Sequence, residues 1–283
     1  MRTEVEAALA ACTQYPADCP AKLGEAIRYS LLAPGKRLRP LLVLMAAEAC
    51  GQERGKAMPA ACAVEMIHTY SLIHDDLPAM DDDELRRGMP TCHIQFGEAV
   101  AILAGDALLA QAFEVLATGI QPPDIAARCV ALLAQAAGPT ALVGGQADDL
   151  EWEFRGGQLA DLEAIHRRKT GALLSVSLVL GGTVAAAGDE PLTALGTYGR
   201  KLGLAFQIVD DLLDLQGDAE KLGKKVGKDS SRGKLTFPGL LGAEESARRA
   251  ATLVDESIAA LEMFGARAEP LRGLARYVLE RNH

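Results

Sequence analysis

Read for the spacing of its apolar positions, the chain resolves into a succession of helical segments divided by proline and glycine. Residues 1 to 30 read as amphipathic helix with a turn at Tyr15 to Pro20. Ala33-Pro34-Gly35 is a second turn signal. Pro40 then takes a favoured first-turn position in a helix from Leu41 to Cys50, apolar on every side and ended by Gly51. Ala60 to Leu77 predicts the next helix, because Pro78 removes a backbone donor and disfavours helix for the residue before it. Long apolar helices follow over Glu98 to Leu116 and Ile125 to Ala137, with Gly144-Gly145 as a place where helices can approach closely. Asp161 to Leu180 begins polar and turns apolar after Gly171, a mid-helix glycine that predicts a kink exposing carbonyls. Thr193 to Gln216 is helical, Gly217 to Gly233 reads as a lysine- and glycine-rich loop, and Glu244 to Leu261 and Leu271 to Arg281 close the chain.

Composition narrows this to an all-α fold. Apolar residues make up 49% of the 283 positions but aromatics only 4%, and alanine and leucine dominate, which favours close-packed helices over sheets. With no linker, composition break or internal repeat, residues 1–283 read as a single domain. No charge-free apolar run reaches the roughly 18 to 20 residues of a membrane span, and Met1 to Glu6 carries acid where a secretory signal has none. The six scattered cysteines, with no C-x-x-C pair, suit thiols in a reducing cytoplasm. A net charge of −9 argues against nucleic acid as a partner.

Charge is concentrated where the chemistry is expected. His74 to Gly88 reads H-D-D-L-P-A-M-D-D-D-E-L-R-R-G, an acid density that repels itself unless a cation is bound. A helix ending near Leu77 leaves Asp75 and Asp76 on its last turn and lets Asp81 fold back towards them. A solvated acidic loop is the plainer reading of this stretch alone. A second cluster, Asp210-Asp211-Leu212-Leu213-Asp214, lies in an otherwise apolar segment, with Asp210 and Asp214 on one helix face. Two all-oxygen clusters on two helices suit a hard divalent ion, Mg²⁺ before zinc or copper. Lys36, Arg37 and Arg39 at a helix N-terminus suit a bound anion, or form a solvated basic turn.

With these motifs in order, the chain resembles the trans-isoprenyl diphosphate synthase family, of the bacterial short-chain farnesyl diphosphate synthase type. The resemblance rests on G-K-R-L-R-P at Gly35 to Pro40, D-D-x-x-x-x-D at Asp75 to Asp81 and L-R-R-G at Leu85 to Gly88. It continues through G-G-Q at Gly144 to Gln146 with Asp149, K-T-G at Lys169 to Gly171, D-D-x-x-D at Asp210 to Asp214 and G-K-x-T-x-P at Gly233 to Pro238. The set runs over roughly residues 24 to 281. Glu84 and Phe237 depart from the family's more common aspartate and tyrosine.

The resemblance implies a bundle of about ten or more helices around a deep central cavity, a homodimer, and three Mg²⁺ (Mn²⁺ as an alternative ion) held by Asp75, Asp76, Asp81, Asp210 and Asp214. It assigns Lys36, Arg39, His68 and Arg87 to isopentenyl diphosphate. Arg86, Lys169, Lys224 and Lys234 go to the allylic diphosphate, with Lys225 and Lys228 less clearly matched, while Thr170 and Gln207 face the developing allylic cation. Simple salt bridging of the two arginines to Asp82 to Glu84 is the alternative when no substrate is bound. Gln146 and Asp149 are either cavity wall or structural support. Tyr70 and Ser71, five and four residues before Asp75, form the floor that sets product length.

The implied reaction condenses isopentenyl diphosphate with dimethylallyl and then geranyl diphosphate to give (2E,6E)-farnesyl diphosphate. A geranyl or geranylgeranyl diphosphate synthase is the nearest alternative. A non-catalytic partner subunit of such a synthase is the alternative from another class, although the acid motifs and loop lysines that it would be expected to lose are all present.

Overall fold

The computed structural model describes residues 1–152, 156–221 and 235–280, with the side chains of 216–221 left undescribed. Helices α1 (Arg2–Cys12) and α2 (Ala21–Leu31) flank the predicted turn, and α3 (Leu38–Ala49) and α4 (Arg54–Asp75) follow. A two-residue antiparallel hairpin, β1 (Leu85–Arg86) and β2 (Met89–Pro90), is the one strand pairing among the described residues. Next come α5 (Cys92–Phe96), α6 (Glu98–Gly119), α7 (Pro123–Ala137), α8 (Leu142–Trp152) and α9 (Leu159–His166). A π-helical turn at Arg167–Gly171 leads into α10 (Ala172–Val184) and the long α11 (Asp189–Lys221). The chain closes with α12 (Phe237–Leu241), α13 (Ala243–Ala259), a 3₁₀ stretch and α14 (Glu269–Glu280). The all-α expectation holds.

Three boundaries moved. Helix α4 starts at Arg54 and takes Pro59 into its second turn, and Pro40 is the third residue of α3 rather than its opener. Helix α11 runs to Lys221, so Gly217 to Lys221, expected as loop, are helical; the rest of that loop, with Lys224, Lys225, Lys228 and Lys234, lies outside the described residues.

Two apolar cores share a wall. One gathers Val5 and Leu9 of α1, Val64, Met66 and Ile67 of α4, Ala104, Leu108 and Leu116 of α6, and Leu133 of α7. The other gathers Leu202, Ala205 and Ile208 of α11 with Leu253 and Val254 of α13 and Leu271 of α14. Helix α3 divides them: Val43, Leu44 and Ala47 face the first core, Leu42, Ala46 and Ala49 the second. Helix α10 does the same with Leu173 and Leu180 against Leu174 and Leu178, which is why both helices are apolar all round. Tyr198 fastens α14 to α11, its buried hydroxyl donating to the Leu271 carbonyl at 2.7 Å.

Among the described residues two stretches are long and apolar enough to cross a membrane by length and composition alone, though both carry charged residues. Helix α6 has 22 residues and a mean hydropathy of 1.7, long and apolar enough by length and composition. The stretch Pro123–Trp152 meets the same measure, but the helix is interrupted between Ala137 and Leu142. Helix α6 carries Glu98, Asp106 and Glu114, and packs against α4, α2 and α7.

Candidate active site

Helix α4 stops at Asp75, with Asp76 as its C-cap, and Pro78 sends the chain round a turn. The Leu77 amide bonds the His74 carbonyl and the Asp81 amide bonds the Asp75 carbonyl at 2.8 Å. The break therefore brings Asp81 back to Asp75, as the sequence predicts. Burial pushes the Asp75 carboxyl up to about 6; the charge of Lys169 opposes this, and those of Asp81 and Asp76 add to it. A cation bound here would relieve that repulsion.

Asp76 lies about 100° further round the helix and has another occupation. It is 3% exposed, and Arg86 grips it, Nε donating to Oδ1 and Oδ2 at 2.7 and 2.9 Å while Nη2 lies 2.6 Å from Oδ1. Burial opposes the Arg86 charge, but the bonds and charge of Asp76 outweigh it. Of the acids near Arg86, Asp76 takes this bidentate pairing, and the charge of Asp83, one of the run Asp82 to Glu84 named in the alternative reading, also favours the Arg86 cation. A small cavity of about 50 Å³ opens beside the pair, walled by Tyr29 and Ser30 of α2, Thr69 and Ile73 of α4, and Met89.

Two turns before Asp75 on α4, His68 lies in the field of several guanidinium groups. Burial first, then the charges of Arg39, Arg87, Arg86 and Arg37, hold its imidazole neutral well below the usual range. Arg87 lies across Gly35, where Nη1 donates to the Pro34 carbonyl at 3.0 Å. Arg39 Nε is buried without a hydrogen-bond partner, and burial lowers the Arg39 pKa to about 10. Lys36 is exposed at the start of the same segment. The grouping of Lys36, Arg37 and Arg39 around one anion needs correction, because Arg37 is buried and paired with Glu6 and Glu65.

The kink expected near Gly171 is the π turn Arg167–Gly171, a feature that widens a helix and often marks a functional site. It presents Lys169, whose Nζ donates to Asp149 at 2.7 Å, and Arg168 pairs with Asp148. Both acids sit on α8, and Gly145 lets α8 come this close: a methyl group there would stand 2.3 Å from the Lys169 amide nitrogen and 2.7 Å from its Cα. Gly145→Ala should therefore force α8 off the π turn, lowering stability by about 1–3 kcal/mol and activity with it. A thermal melt read beside steady-state rates checks both.

The π turn also abuts α11. A methyl on Gly203 would come within 3.2 Å of the Gly171 Cα. One turn on from Gly203 is Gln207, and Asp210 and Asp214 continue along the helix at helical spacing. Asp211 Oδ2 accepts the Phe237 amide at 2.9 Å, which ties the returning chain to the second motif. His166 stacks on the Phe237 ring, centroids 5.7 Å apart. At the other end of the site Tyr70 is 6% exposed and meets His74 edge-on at 5.8 Å, and Ser71 donates to the His68 carbonyl at 2.9 Å.

Among the described residues, no three carboxylate, imidazole or thiol groups gather closely enough to hold an ion by themselves. The donors present still fit Mg²⁺, which takes one or two carboxylates and completes its octahedron with water and phosphate oxygens. Asp75 and Asp81 supply such a pair, and the backbone bond from the Asp81 amide to the Asp75 carbonyl, which folds the two acids together, is the observation that carries the fit.

Sequence reasoning missed Glu65, Glu6 and the second role of Asp76. A buried glutamate in the apolar run Ala63-Val64-Glu65-Met66-Ile67 was the available signal for the first.

The chain is similar to known proteins over most of its length. The polyprenyl synthetase family model matches residues 20–263. The chain is 52% identical over 233 residues to farnesyl diphosphate synthase of Geobacillus stearothermophilus, covering 80% of this chain and 78% of that one. It is 46% identical over 271 residues to geranylgeranyl diphosphate synthase of Cyanophora paradoxa, covering 95% and 90%. The crystal structure of an FPP/GFPP synthase from Zymomonas mobilis superimposes with a TM-score of 0.89 at 40% identity, covering 98% of this chain and 95% of that one.

Proposed function

The chain belongs to the polyprenyl synthetase family, whose chemistry is prenyl transfer with diphosphate substrates and a divalent metal, and from that premise we propose that it makes (2E,6E)-farnesyl diphosphate from isopentenyl, dimethylallyl and geranyl diphosphates. The observation that carries the fifteen-carbon reading is the buried Tyr70 ring, five residues before Asp75 on the same helix. Relatives named for both farnesyl and geranylgeranyl products share this framework, so the floor residue decides between them.

In this reading Asp75, Asp81 and Asp210 hold the metal, three Mg²⁺ in number, with Asp214 one turn further along α11. Mg²⁺ held by these residues would neutralise the charge that develops on the leaving diphosphate. Arg86 and Lys169 grip that diphosphate from two sides, joined by Lys224 and Lys234. Thr170 and Gln207 turn oxygens towards the allylic cation as the C–O bond breaks. Apolar walls keep water from that cation. Lys36, Arg39, Arg87 and the neutral His68 orient isopentenyl diphosphate so that its double bond attacks. The departing diphosphate takes the final proton. Ile94, Ile102 and Leu103, exposed apolar side chains on α5 and α6, support assembly as a homodimer through this region.

The test is a product assay with isopentenyl and dimethylallyl diphosphates and Mg²⁺, repeated with EDTA. A fifteen-carbon product that EDTA abolishes is expected. Twenty carbons would keep the chemistry and remove Tyr70 from the floor. No product in either arm would bring forward a non-catalytic partner subunit.

A further inference from the structure

Arg37 sits among the cations of the anion site, yet its side chain is spent on carboxylates rather than turned towards that site. Its side chain is 1% exposed. Nε and Nη2 donate to the two oxygens of Glu6 at 2.8 and 3.1 Å, Nη2 also donates to the Ala33 carbonyl at 2.8 Å, and Nη1 donates to Glu65 at 2.9 Å. A guanidinium has only five N–H donors, and these bonds use both sides of the fork. The backbone of Arg37 is left-handed, φ 51° and ψ 39°, at the N-cap of α3. A non-glycine residue keeps that conformation only where its surroundings enforce it. Lys36 precedes this bend and Arg39 follows it.

Glu65 is a carboxylate 3% exposed, one turn before His68 on α4. Buried charge is tolerated only when paired, and Arg37 is its partner. Its field also favours the charged forms of Arg39 and Arg87. Glu6 approaches from α1, which lies before the first residue of the family match at 20.

We propose that Glu6, Arg37 and Glu65 form a positioning brace by which α1 and α4 fix the bend between Lys36 and Arg39, and so set the isopentenyl diphosphate site. The brace touches no substrate. This rests on the assignment of Lys36, Arg39 and His68 to isopentenyl diphosphate. Because the allylic diphosphate is held elsewhere, loosening the brace moves the KM of one substrate and spares the other.

Two variants test it. Arg37→Lys keeps the charge but loses the fork. Glu6→Ala, on a side chain 34% exposed and so less dangerous to folding, removes the bonds from α1. Each should raise the KM for isopentenyl diphosphate about 10- to 100-fold, the effect typical of losing a supporting partner. The KM for geranyl diphosphate and kcat at saturation should stay within about twofold. Calorimetric titration with isopentenyl diphosphate should show the same loss. If both KM values rise together, or neither moves in a folded variant, the brace has no positioning role. Wild type that binds isopentenyl diphosphate without turnover, while the variants bind it weakly, would overturn the proposed function and leave the brace standing. Equal binding by wild type and variants would overturn the brace, and no binding even by wild type would overturn both.

Discussion

Lys169→Gln should lower kcat by about 10²–10³, the usual cost of removing one preorganised group that stabilises developing charge. The side chain stands at a junction. It is carried on the π turn between the first acid motif, where its charge opposes the raised Asp75 carboxyl, and α11, where Gly203 meets Gly171. Its present partner is Asp149 at 2.7 Å, with the lysine side chain 22% exposed and the aspartate 15% exposed. In the proposed reaction a diphosphate would compete with that carboxylate for the same ammonium, and Asp149 would hold the lysine in register until the substrate arrived. Glutamine keeps the length and some hydrogen bonding but not the charge. The loss should appear in kcat and in kcat/KM for the allylic substrate, while the KM for isopentenyl diphosphate stays put. Single-turnover rates with geranyl diphosphate would show whether the missing charge acts on ionisation. An unchanged single-turnover rate would remove Lys169 from the chemical step.

Tyr70→Ala should extend the product beyond fifteen carbons, in steps of five as each isopentenyl unit is added. The ring is 6% exposed and braced edge-on by His74, so its removal opens a void inside the helix layer instead of at the surface. Burial pushes the phenol up to about 12, so the group is neutral and acts here as bulk. Truncating a buried aromatic costs about 3–5 kcal/mol, and the variant should melt earlier than the wild type. Chromatography of the chains formed by a folded sample decides the matter. Tyr70→Phe, which preserves the bulk, should still stop at fifteen carbons. If the alanine variant folds and also stops there, another residue ends the chain.

What could be read from the sequence was local. The bend at Pro78 that returns Asp81 to Asp75, the close approach at Gly145 and the break in helical geometry near Gly171 each depend on one residue's stereochemistry. All three appear where expected. What could not be read was pairing across the fold. Nothing near Arg37 announces that Glu6 and Glu65, 31 and 28 positions away, will consume its donors. Likewise, a run of acids does not say which one an arginine ten residues on will choose; in the fold it is Asp76 that takes the bidentate bond from Arg86. The extension of α11 to Lys221 was hidden for a related reason, since Gly217 reads as a stop and propensity alone does not settle whether a long helix runs through it.

The π turn at 167–171 also acts as a phase shifter along one continuous rod. An α-helix advances about 100° per residue, so one surplus residue rotates everything after it relative to everything before. Ahead of it α9 buries only the stripe with Leu162 and Ile165; behind it α10 is buried on nearly every side. A chain one residue shorter here would recover regular α-helical geometry and dial Lys169 away from the carboxylates. The lysine's address is therefore written in the length of the segment as much as in its letters.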